Sequence, residues 1–342
     1  RGRAEDAVTP LQGITAKLGQ QPVLHARGID MLSLVRAQEV SGATGAAPAP
    51  TGATGAAAAG TETGPATIEN AVQVAQQADV VVMVLGEPAG MSGEASSRAF
   101  LDLPGKQEQL LQEVVATGKP VVLVLESGRP LDIRWAAEHV PAIIQAWYPG
   151  IEAGNAIADL LFGDAVPSGR LPVSWPRSVG QIPVYYNHKS TGRPTAPDRW
   201  HTGYLDESME PLFPFGYGLS YTSFSYSNLS VAPQVRPDEP LRVRATVQNT
   251  GQRTATDVVQ LYVHRRVGPT SPRVRELKGF VRVTLRPGQS ETVGFDFGQS
   301  AQVLATHDAS MRPVVPAGTY DVWVVPNAAA EGAAGSFQVV TK

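Results

Sequence analysis

The spacing of hydrophobic residues changes once along this chain, and that change limits the fold more than any other feature. From Thr67 onward, amphipathic segments alternate with continuous apolar runs, of which 79–86 and 120–125 are the clearest. A run without polar alternation is typical of a strand covered on both faces, as in parallel α/β sheets. Tandem strand–helix units imply right-handed crossovers, so this part of the chain is predicted to form a doubly wound, mostly parallel sheet flanked by helices.

The individual elements of this sheet follow from the same patterns. A helix over 4–17 and a short strand over 22–28 are predicted to come first. The helices predicted beyond them are 67–78, 106–116, 131–138 and 152–162, and the strands are 79–86, 120–125, 142–147 and 171–175. This order is typical of an α/β sandwich, in which helices cover a central sheet.

After Tyr226 the pattern becomes a strict alternation of apolar and polar residues, which is typical of strands with one buried face. The strands predicted from it are 241–247, 257–263, 290–297 and 318–324. Turn sequences separate them, such as Asn249-Thr-Gly251 and Pro287-Gly288. We therefore predict a second, all-β domain, a fibronectin type III-like or immunoglobulin-like sandwich of about seven strands.

The chain is 342 residues long, which suits two domains. We predict an α/β domain over 1–205, a connector rich in Pro, Gly and Tyr over 206–227, and the β-sandwich over 228–342. Residues 42–66 are almost entirely Gly, Ala, Thr and Pro, which bury too little apolar area to offset their ordering entropy. They are predicted to form a flexible surface insertion. Because the chain begins with Arg1-Gly2-Arg3, we expect it to belong to a longer or processed protein.

Composition argues against several classes of function. The net charge is −3 and no Lys/Arg-rich run is present, so no nucleic-acid partner is predicted. No apolar run approaches the ~20 residues of a membrane span, so no membrane partner is predicted. The chain has no cysteine, and its six histidines lack metal-ligand spacing, so we predict no disulfide and no metal site. Without a dinucleotide fingerprint or a Gly-x-Ser-x-Gly elbow, neither a cofactor nor a serine hydrolase is predicted.

The most unusual loop runs from Glu87 to Pro104, directly after a predicted strand. Ligands of open α/β sheets bind beyond the carboxyl ends of strands, and a loop of ~18 residues there is far longer than usual. Its centre contains Glu94 and Arg98 among small residues. Glu94 is either a catalytic carboxyl or a solvated partner of Arg98, and Arg98 either pairs with it or contacts a substrate hydroxyl. Glu87 is predicted to be structural and to hold the loop backbone.

A second feature is a group of aromatic residues near the predicted connector. They are Trp200, Tyr204, Phe213, Phe215, Tyr217 and Tyr221. Aromatic rings can stack on sugars, but they more often pack in a hydrophobic core. We predict that these residues pack the junction between the domains.

Several motifs, in a fixed order, resemble glycoside hydrolase family 3. They are Glu94-Ala-Ser-Ser-Arg98 with Leu101-Asp-Leu-Pro104, Gly118-Lys-Pro-Val-Val-Leu-Val-Leu125, Ser127-Gly-Arg-Pro130, Trp147-Tyr-Pro-Gly150, Gly154-Asn-Ala-Ile-Ala158, Pro167-Ser-Gly-Arg-Leu-Pro172 and Pro214-Phe-Gly-Tyr-Gly-Leu-Ser-Tyr221. The segment from Gln181 to Pro194 is particularly similar to bacterial periplasmic β-glucosidases. Leu277-Lys-Gly-Phe280 and Leu285-Arg-Pro-Gly288 resemble the fibronectin type III-like domain of the same enzymes.

The resemblance implies a retaining β-glucosidase in which Glu94 is the general acid/base. It also implies that an N-terminal barrel domain, absent from this chain, carries the nucleophile. We expect Arg98 to point toward the loop backbone or the substrate, because pairing with Glu94 would oppose the raised pKa that an acid needs. The implied substrate is a β-glucoside or oligosaccharide, with a β-xyloside as the alternative. A periplasmic or secreted location is implied, and a homodimer is compatible with it. The alternative function is a non-catalytic carbohydrate-binding or interaction module.

Overall fold

The computed structural model describes residues 3–31, 64–191, 193 and 202–340, and these form two compact units. The first unit contains 3–31, 64–165 and 177–180, and the second contains 166–176 with the described residues from 181 onward. Of the predicted insertion, 42–66, only 64–66 are among the described residues. Trp200 also lies outside the described residues. The domain bounds predicted at 205 and 228 stay predictions.

The first unit is an α/β domain in which helices and strands alternate. Its elements are α1 (Pro10–Leu18), α2 (Ile68–Gln76), β1 (Val81–Gly86), α3 (Gln107–Val115), β2 (Val121–Glu126), α4 (Arg134–His139), β3 (Ala142–Gln145) and α5 (Ala153–Phe162). They confirm the predicted alternation, with most ends shifted by one to three residues. Two predicted strands are absent as strands, because 22–28 and 171–175 each hold only an isolated bridge residue. The segment 171–175 moreover lies in the second unit.

Local signals explain where these helices begin and end. Thr9 and Gln12 form a capping box at the start of α1, with Pro10 in the first turn. The Thr67 hydroxyl accepts a hydrogen bond from the backbone NH of Asn70 at the start of α2. Gly163 ends α5 in the left-handed conformation, with φ of 79°. These boundaries are therefore encoded within a few residues of each helix end.

The three strands form a parallel sheet in the sequential order β1-β2-β3. Gly86 pairs with Glu126 at the last step of the β1–β2 register. The described strands show no reversal of order, so the doubly wound arrangement is not found among them; apolar runs report burial of both faces but not strand order. Because the strands are parallel, the loops after Gly86, Glu126 and Gln145 leave from the same edge of the sheet.

The second unit is a β-sandwich whose strands have one buried face. Its elements are β4 (Phe224–Val231), β5 (Gln234–Val235), β6 (Leu241–Asn249), β7 (Ala255–Arg265), β8 (Glu276–Leu285), β9 (Ser290–Phe297), α6 (Ala301–Leu304), β10 (Thr306–His307), β11 (Pro313–Val314), β12 (Gly318–Val325) and β13 (Ala333–Val339). A five-stranded sheet, β5-β13-β12-β7-β8, and a three-stranded sheet, β4-β6-β9, enclose the core, and β10 pairs with β11. All four strands predicted from alternation are confirmed.

The segment 166–176 packs within the second unit although its sequence precedes the sandwich by about 50 residues. The Arg170 guanidinium pairs with Asp257 on β7, whose side chain is fully buried, and donates to the carbonyl oxygen of Gly218. The hydroxyl of Tyr226 on β4 donates to the other carboxylate oxygen of Asp257. One buried carboxylate therefore joins the segment to both sheets.

Three of the aromatic residues between 204 and 221 make ring contacts inside the second unit, whereas Tyr204 and Tyr221 are exposed. The rings of Phe213 and Tyr217 stack with centroids 5.2 Å apart. Tyr186 stacks on Phe215 at 4.3 Å and meets Tyr262 of β7 edge-on at 6.0 Å. These contacts support the packing alternative for Phe213, Phe215 and Tyr217.

Candidate functional site

The long loop predicted after β1 is confirmed, and its two ends are tied together by one side chain. The Oε1 atom of Gln107 accepts from the backbone NH of Gly86 at 2.7 Å. Its Nε2 atom donates to the carbonyl oxygens of Gly86 and Pro104 at 2.8 and 3.0 Å. Because Gln107 is buried and belongs to α3, the loop closes onto the first turn of that helix.

Gly86 allows the loop to leave the sheet closely against β2. Its φ is +143°, and a Cβ atom there would overlap the carbonyl oxygen of Glu126. The backbone NH of Glu87 donates to that same oxygen at 2.8 Å. Burial raises the pKa of the Glu126 carboxyl. The start of the loop is thus held by backbone contacts that only glycine permits at this position.

Glu87 lies at the base of the loop with a fully buried side chain. One carboxylate oxygen, Oε1, is 2.8 Å from Nη1 of Arg98, and the other, Oε2, is 3.2 Å from Nε of Arg129. The two arginine side chains are 18% and 22% exposed. The structural role predicted for Glu87 is therefore seen, but it acts through arginine side chains and not through backbone NH groups.

Arg98 and Arg129 carry these contacts into the loop backbone. Nη2 of Arg98 donates to the carbonyl oxygen of Asp102 at 2.9 Å. Nη2 of Arg129 donates to the carbonyl oxygens of Met91 at 2.5 Å and Ser96 at 2.9 Å. Arg98 thus points to the loop backbone, one of the two directions expected, and pairs with Glu87 instead of Glu94. Its contact with a substrate stays a prediction.

Along the chain, Glu94 lies between Met91 and Ser96, whose carbonyl oxygens accept from Arg129, and its side chain is exposed. Its side chain makes no hydrogen bond or ion pair within the described residues, while its carbonyl oxygen accepts from the Ser96 hydroxyl at 3.4 Å. The neighbours on each side are in the left-handed region, Gly93 with φ of 122° and Ala95 with φ of 59°. The loop therefore presents a carboxyl group to molecules outside this unit, where it can give or take a proton.

Exposed aromatic rings lie on loops at the same edge of the sheet. Phe100, in the Glu94 loop, is 72% exposed, and Tyr148, after β3, is 48% exposed. A Cβ atom at Gly128 would overlap the hydroxyl of Ser92 and lie 3.0 Å from the Tyr148 ring. The loops after all three strands therefore meet around the loop that carries Glu94.

Sequence reasoning did not assign a role to Arg129 or Gln107. Arg129 belongs to the motif Ser127-Gly-Arg-Pro130, which contributed to the family resemblance, but nothing local indicates that it reaches a loop 33 to 42 residues earlier.

The described residues contain no group of three or more His, Cys, Asp or Glu side chains suited to a metal ion. Nor do they include a helix with the length and apolarity of a membrane span.

Two known domain families match this chain. Residues 2–221 match the glycosyl hydrolase family 3 C-terminal domain. Residues 257–328 match the fibronectin type III-like domain. The α/β fold and the all-β fold predicted for the two parts are thereby confirmed.

The chain is also similar to individual glycosidases. It is 45% identical over 263 residues to a periplasmic β-glucosidase of Salmonella typhimurium, which covers 76% of this chain and 34% of that protein. It is 40% identical to a β-xylosidase of Formosa agariphila, over 74% of this chain and 34% of that protein. A mutant β-glucosidase of Listeria innocua, crystallised with laminaribiose, superimposes with a TM-score of 0.77 at 38% identity, over 82% of this chain and 40% of that one. The chain spans about a third of the length of the curated relatives it matches.

Proposed function

The chain belongs to glycoside hydrolase family 3, and from that premise we propose that it is the part of a retaining β-glucosidase that supplies the general acid/base, Glu94. A β-glucosidase of Salmonella typhimurium and one of Listeria innocua are among its relatives, and the latter was crystallised with a glucose disaccharide, laminaribiose. The proposed substrate is accordingly a terminal β-D-glucosyl residue of a glucoside or oligosaccharide. The proposed partner is an N-terminal barrel domain that carries the nucleophile.

One observation carries this proposal: an exposed carboxyl group is presented on a loop whose base is rigidly held. Glu94 has no side-chain partner among the described residues, whereas Glu87 at the loop base is buried between two arginines. A carboxylate buried for structure is normally paired, as Glu87 is. An unpaired one on a constrained loop at the carboxyl edge of a parallel sheet is suited to act on a ligand.

The proposed reaction uses two carboxyl groups about 5–5.5 Å apart. The nucleophile attacks the anomeric carbon while Glu94 gives its proton to the leaving oxygen, which forms a glycosyl-enzyme intermediate. Glu94, now ionised, then takes a proton from water as that water attacks the intermediate and releases the sugar with retained configuration.

Glu94 must be protonated at the start of this cycle, which requires a pKa above that of an exposed carboxyl. The proposed barrel would supply two causes: burial of the Glu94 side chain and the negative charge of the nearby nucleophile. Arg98 does not oppose this, because its guanidinium is engaged by Glu87 and the Asp102 carbonyl oxygen. We propose that any contact of Arg98 with substrate is made from this held position.

The test compares the full-length enzyme with its Glu94→Ala variant on aryl β-glucosides. Loss of an acid/base is expected to lower kcat/KM for phenyl β-glucoside by about 10²–10⁴-fold. The activated 2,4-dinitrophenyl β-glucoside needs no proton for departure, so its kcat/KM should change little, while its kcat falls because water attack is slowed. Added azide, which needs no general base, should restore that kcat and yield β-glucosyl azide.

The matched control is Glu138→Ala, which removes an exposed carboxyl on α4 of the same unit. It is expected to behave as the unchanged enzyme on both substrates. If Glu94→Ala behaves in the same way as this control, Glu94 is not the acid/base. Hydrolysis by residues 1–342 alone would contradict the proposal that the nucleophile lies elsewhere, and binding without hydrolysis by the full-length enzyme would favour the non-catalytic module.

A β-xyloside is the second candidate substrate, favoured by the 40% identity to a β-xylosidase. Xylosides lack the hydroxymethyl group of glucosides, so the comparison of kcat/KM for phenyl β-glucoside and phenyl β-xyloside decides between them. By the name of the Salmonella relative, we also propose a periplasmic location. Fractionation of cells expressing the full-length enzyme tests it.

A further inference from the structure

We infer that Arg129 is a positioning residue for the reaction, because it holds both sides of the turn that carries Glu94. This inference rests on the proposed role of Glu94 and concerns how that carboxyl group is kept in place. Arg129 itself follows β2, and its side chain bonds Glu87 and two loop carbonyl oxygens instead of the Glu94 side chain.

The turn around Glu94 has few contacts of its own. Its backbone hydrogen bonds are long, with Ser92 NH to Ala89 O at 3.4 Å and Ser96 NH to Gly93 O at 3.3 Å. Ala95 occupies the left-handed region, which costs a non-glycine residue about 1–2 kcal/mol. Such a conformation persists only where surrounding contacts impose it. Within the loop, the Ser96 hydroxyl donates across the turn to the carbonyl oxygen of Gly90 at 3.2 Å, a single neutral hydrogen bond. The stronger restraint must therefore come from outside the turn.

Arg129 supplies this restraint through a single nitrogen. Nη2 donates to the carbonyl oxygen of Met91, three residues before Glu94, and to that of Ser96, two residues after it. The two carbonyl groups are thereby held close together, which closes the base of the turn. Hydrogen bonds from a charged guanidinium are stronger than those between neutral groups.

The guanidinium is in turn oriented by Glu87. Nε of Arg129 lies 3.2 Å from Oε2 of Glu87, whose other oxygen is occupied by Arg98. With Nε directed at the carboxylate, the planar guanidinium can direct Nη2 toward the loop carbonyls. A lysine has one ammonium group on a flexible stem and cannot span the carboxylate and both carbonyl oxygens in this way.

The experiment measures kcat/KM of the full-length enzyme and of Arg129→Met on phenyl and 2,4-dinitrophenyl β-glucosides. Displacement of Glu94 should weaken proton donation, and a shift of about 1 Å in a reacting group can cost 10²-fold. We expect a loss of ~10²-fold on the phenyl glucoside and less than ~3-fold on the dinitrophenyl glucoside. Azide should partly restore kcat on the latter.

Arg134→Met is the matched control, since Arg134 is an arginine in the same unit that is 47% exposed and pairs with Asp132. It should leave both rates unchanged. Arg129→Lys should show the same selective loss as Arg129→Met, and it decides the matter if the methionine variant does not fold. Equal losses on both glucosides would overturn the inference, since a purely structural residue gives no leaving-group dependence. Unchanged rates, or failure of both variants to fold, would overturn it as well.

The same measurements separate this inference from the proposed function. If Glu94→Ala shows selective loss on the phenyl glucoside and the Arg129 variants do not, only the positioning role fails. If Glu94→Ala shows no such selectivity, the acid/base assignment itself fails, whatever the Arg129 variants do.

Discussion

The guanidinium Nε of Arg129 lies 3.2 Å from Oε2 of Glu87, and this ion pair joins the residues that follow two neighbouring strands. Its origin is the parallel register of β1 and β2, which pairs Gly86 with Glu126 and so starts both loops at the same level. Arg129 donates to loop carbonyl oxygens on both sides of Glu94, and Arg98, the other partner of Glu87, donates to a third one.

Glu87→Gln is expected to destabilise the first unit by about 3 kcal/mol, because it leaves two partly buried arginine side chains without their shared counter-charge. Urea unfolding followed by helical circular dichroism measures this, since α1 to α5 all belong to the first unit. The control Glu5→Gln removes an exposed partner of Arg3 and should change stability by less than ~0.5 kcal/mol. Equal stability of the two variants would contradict a supporting role for Glu87.

Gly86→Ala is expected to destabilise the same unit far more than Gly118→Ala. Both glycines have positive φ, 143° and 77°, but only at Gly86 would the new Cβ atom overlap a backbone oxygen, that of Glu126. Gly118→Ala meets open space and should cost only the conformational term of about 1–2 kcal/mol. Thermal unfolding of the two variants checks the difference. Similar Tm values for the two variants would show that β1 and β2 move apart to accommodate the new methyl group.

Arg170→Met is expected to destabilise the second unit by about 3–5 kcal/mol, because Asp257 would keep a fully buried charge without its cation. Near-ultraviolet circular dichroism, to which the buried rings of Trp175, Tyr262 and Tyr320 in this unit contribute, follows its unfolding. Arg286→Met, at an exposed arginine after β8, is the control and should be nearly neutral. If Asp257→Asn combined with Arg170→Met is no more stable than Arg170→Met alone, unpaired charge is not the cause.

The second unit is expected to lose stability above about pH 10, the ordinary tyrosine pKa in an unfolded chain. Burial raises the pKa of Tyr320 to about 12, and burial likewise raises the pKa values of Tyr226 and Tyr262. A raised folded-state pKa gives stability that is complete below the unfolded pKa and is lost as pH rises through the folded one. For Tyr320 the loss falls between about pH 10 and pH 12.

Unfolding free energies measured between pH 8 and pH 12 by urea titration test this alkaline loss. Tyr320→Phe should reduce its slope, because the variant has no hydroxyl to ionise on unfolding. Tyr185→Phe, which removes a hydroxyl from a ring that is 63% exposed, should leave the slope as it was. A slope that is the same in all three proteins would show that tyrosine ionisation does not govern the loss.

Much of the fold could be predicted because its signals are local. The apolar runs of β1 to β3 and the alternation along β6, β7, β9 and β12 specify strand type within single segments. Strands β4, β8 and β13 were missed, as were the two-residue strands β5, β10 and β11. On β8, for example, exposed Phe280 lies on the polar face, so the alternation there is irregular. The order of the strands in each sheet could not be predicted either, because it depends on which distant segments pair with each other.

For the candidate site, position in the sequence indicated the loop and its carboxyl groups but not their partners. Arg98 is four residues from Glu94, a spacing that suggested an ion pair, yet it bonds Glu87 at a distance of eleven residues. A long loop is free to bring distant residues together, so sequence spacing does not predict contacts there as it does on a helix.

The amino-acid sequence by itself determined the two fold classes, the long loop after β1 and the family, since these depend on periodicity, loop length and short motifs. Only the tertiary structure decided that Glu87 pairs with Arg98 and Arg129, that Arg129 holds the turn around Glu94, and that 166–176 packs with the sandwich. These contacts join residues 11 to 87 positions apart. Their partners are set by strand register and by the requirement that each buried charge find an opposite one, which no local pattern encodes.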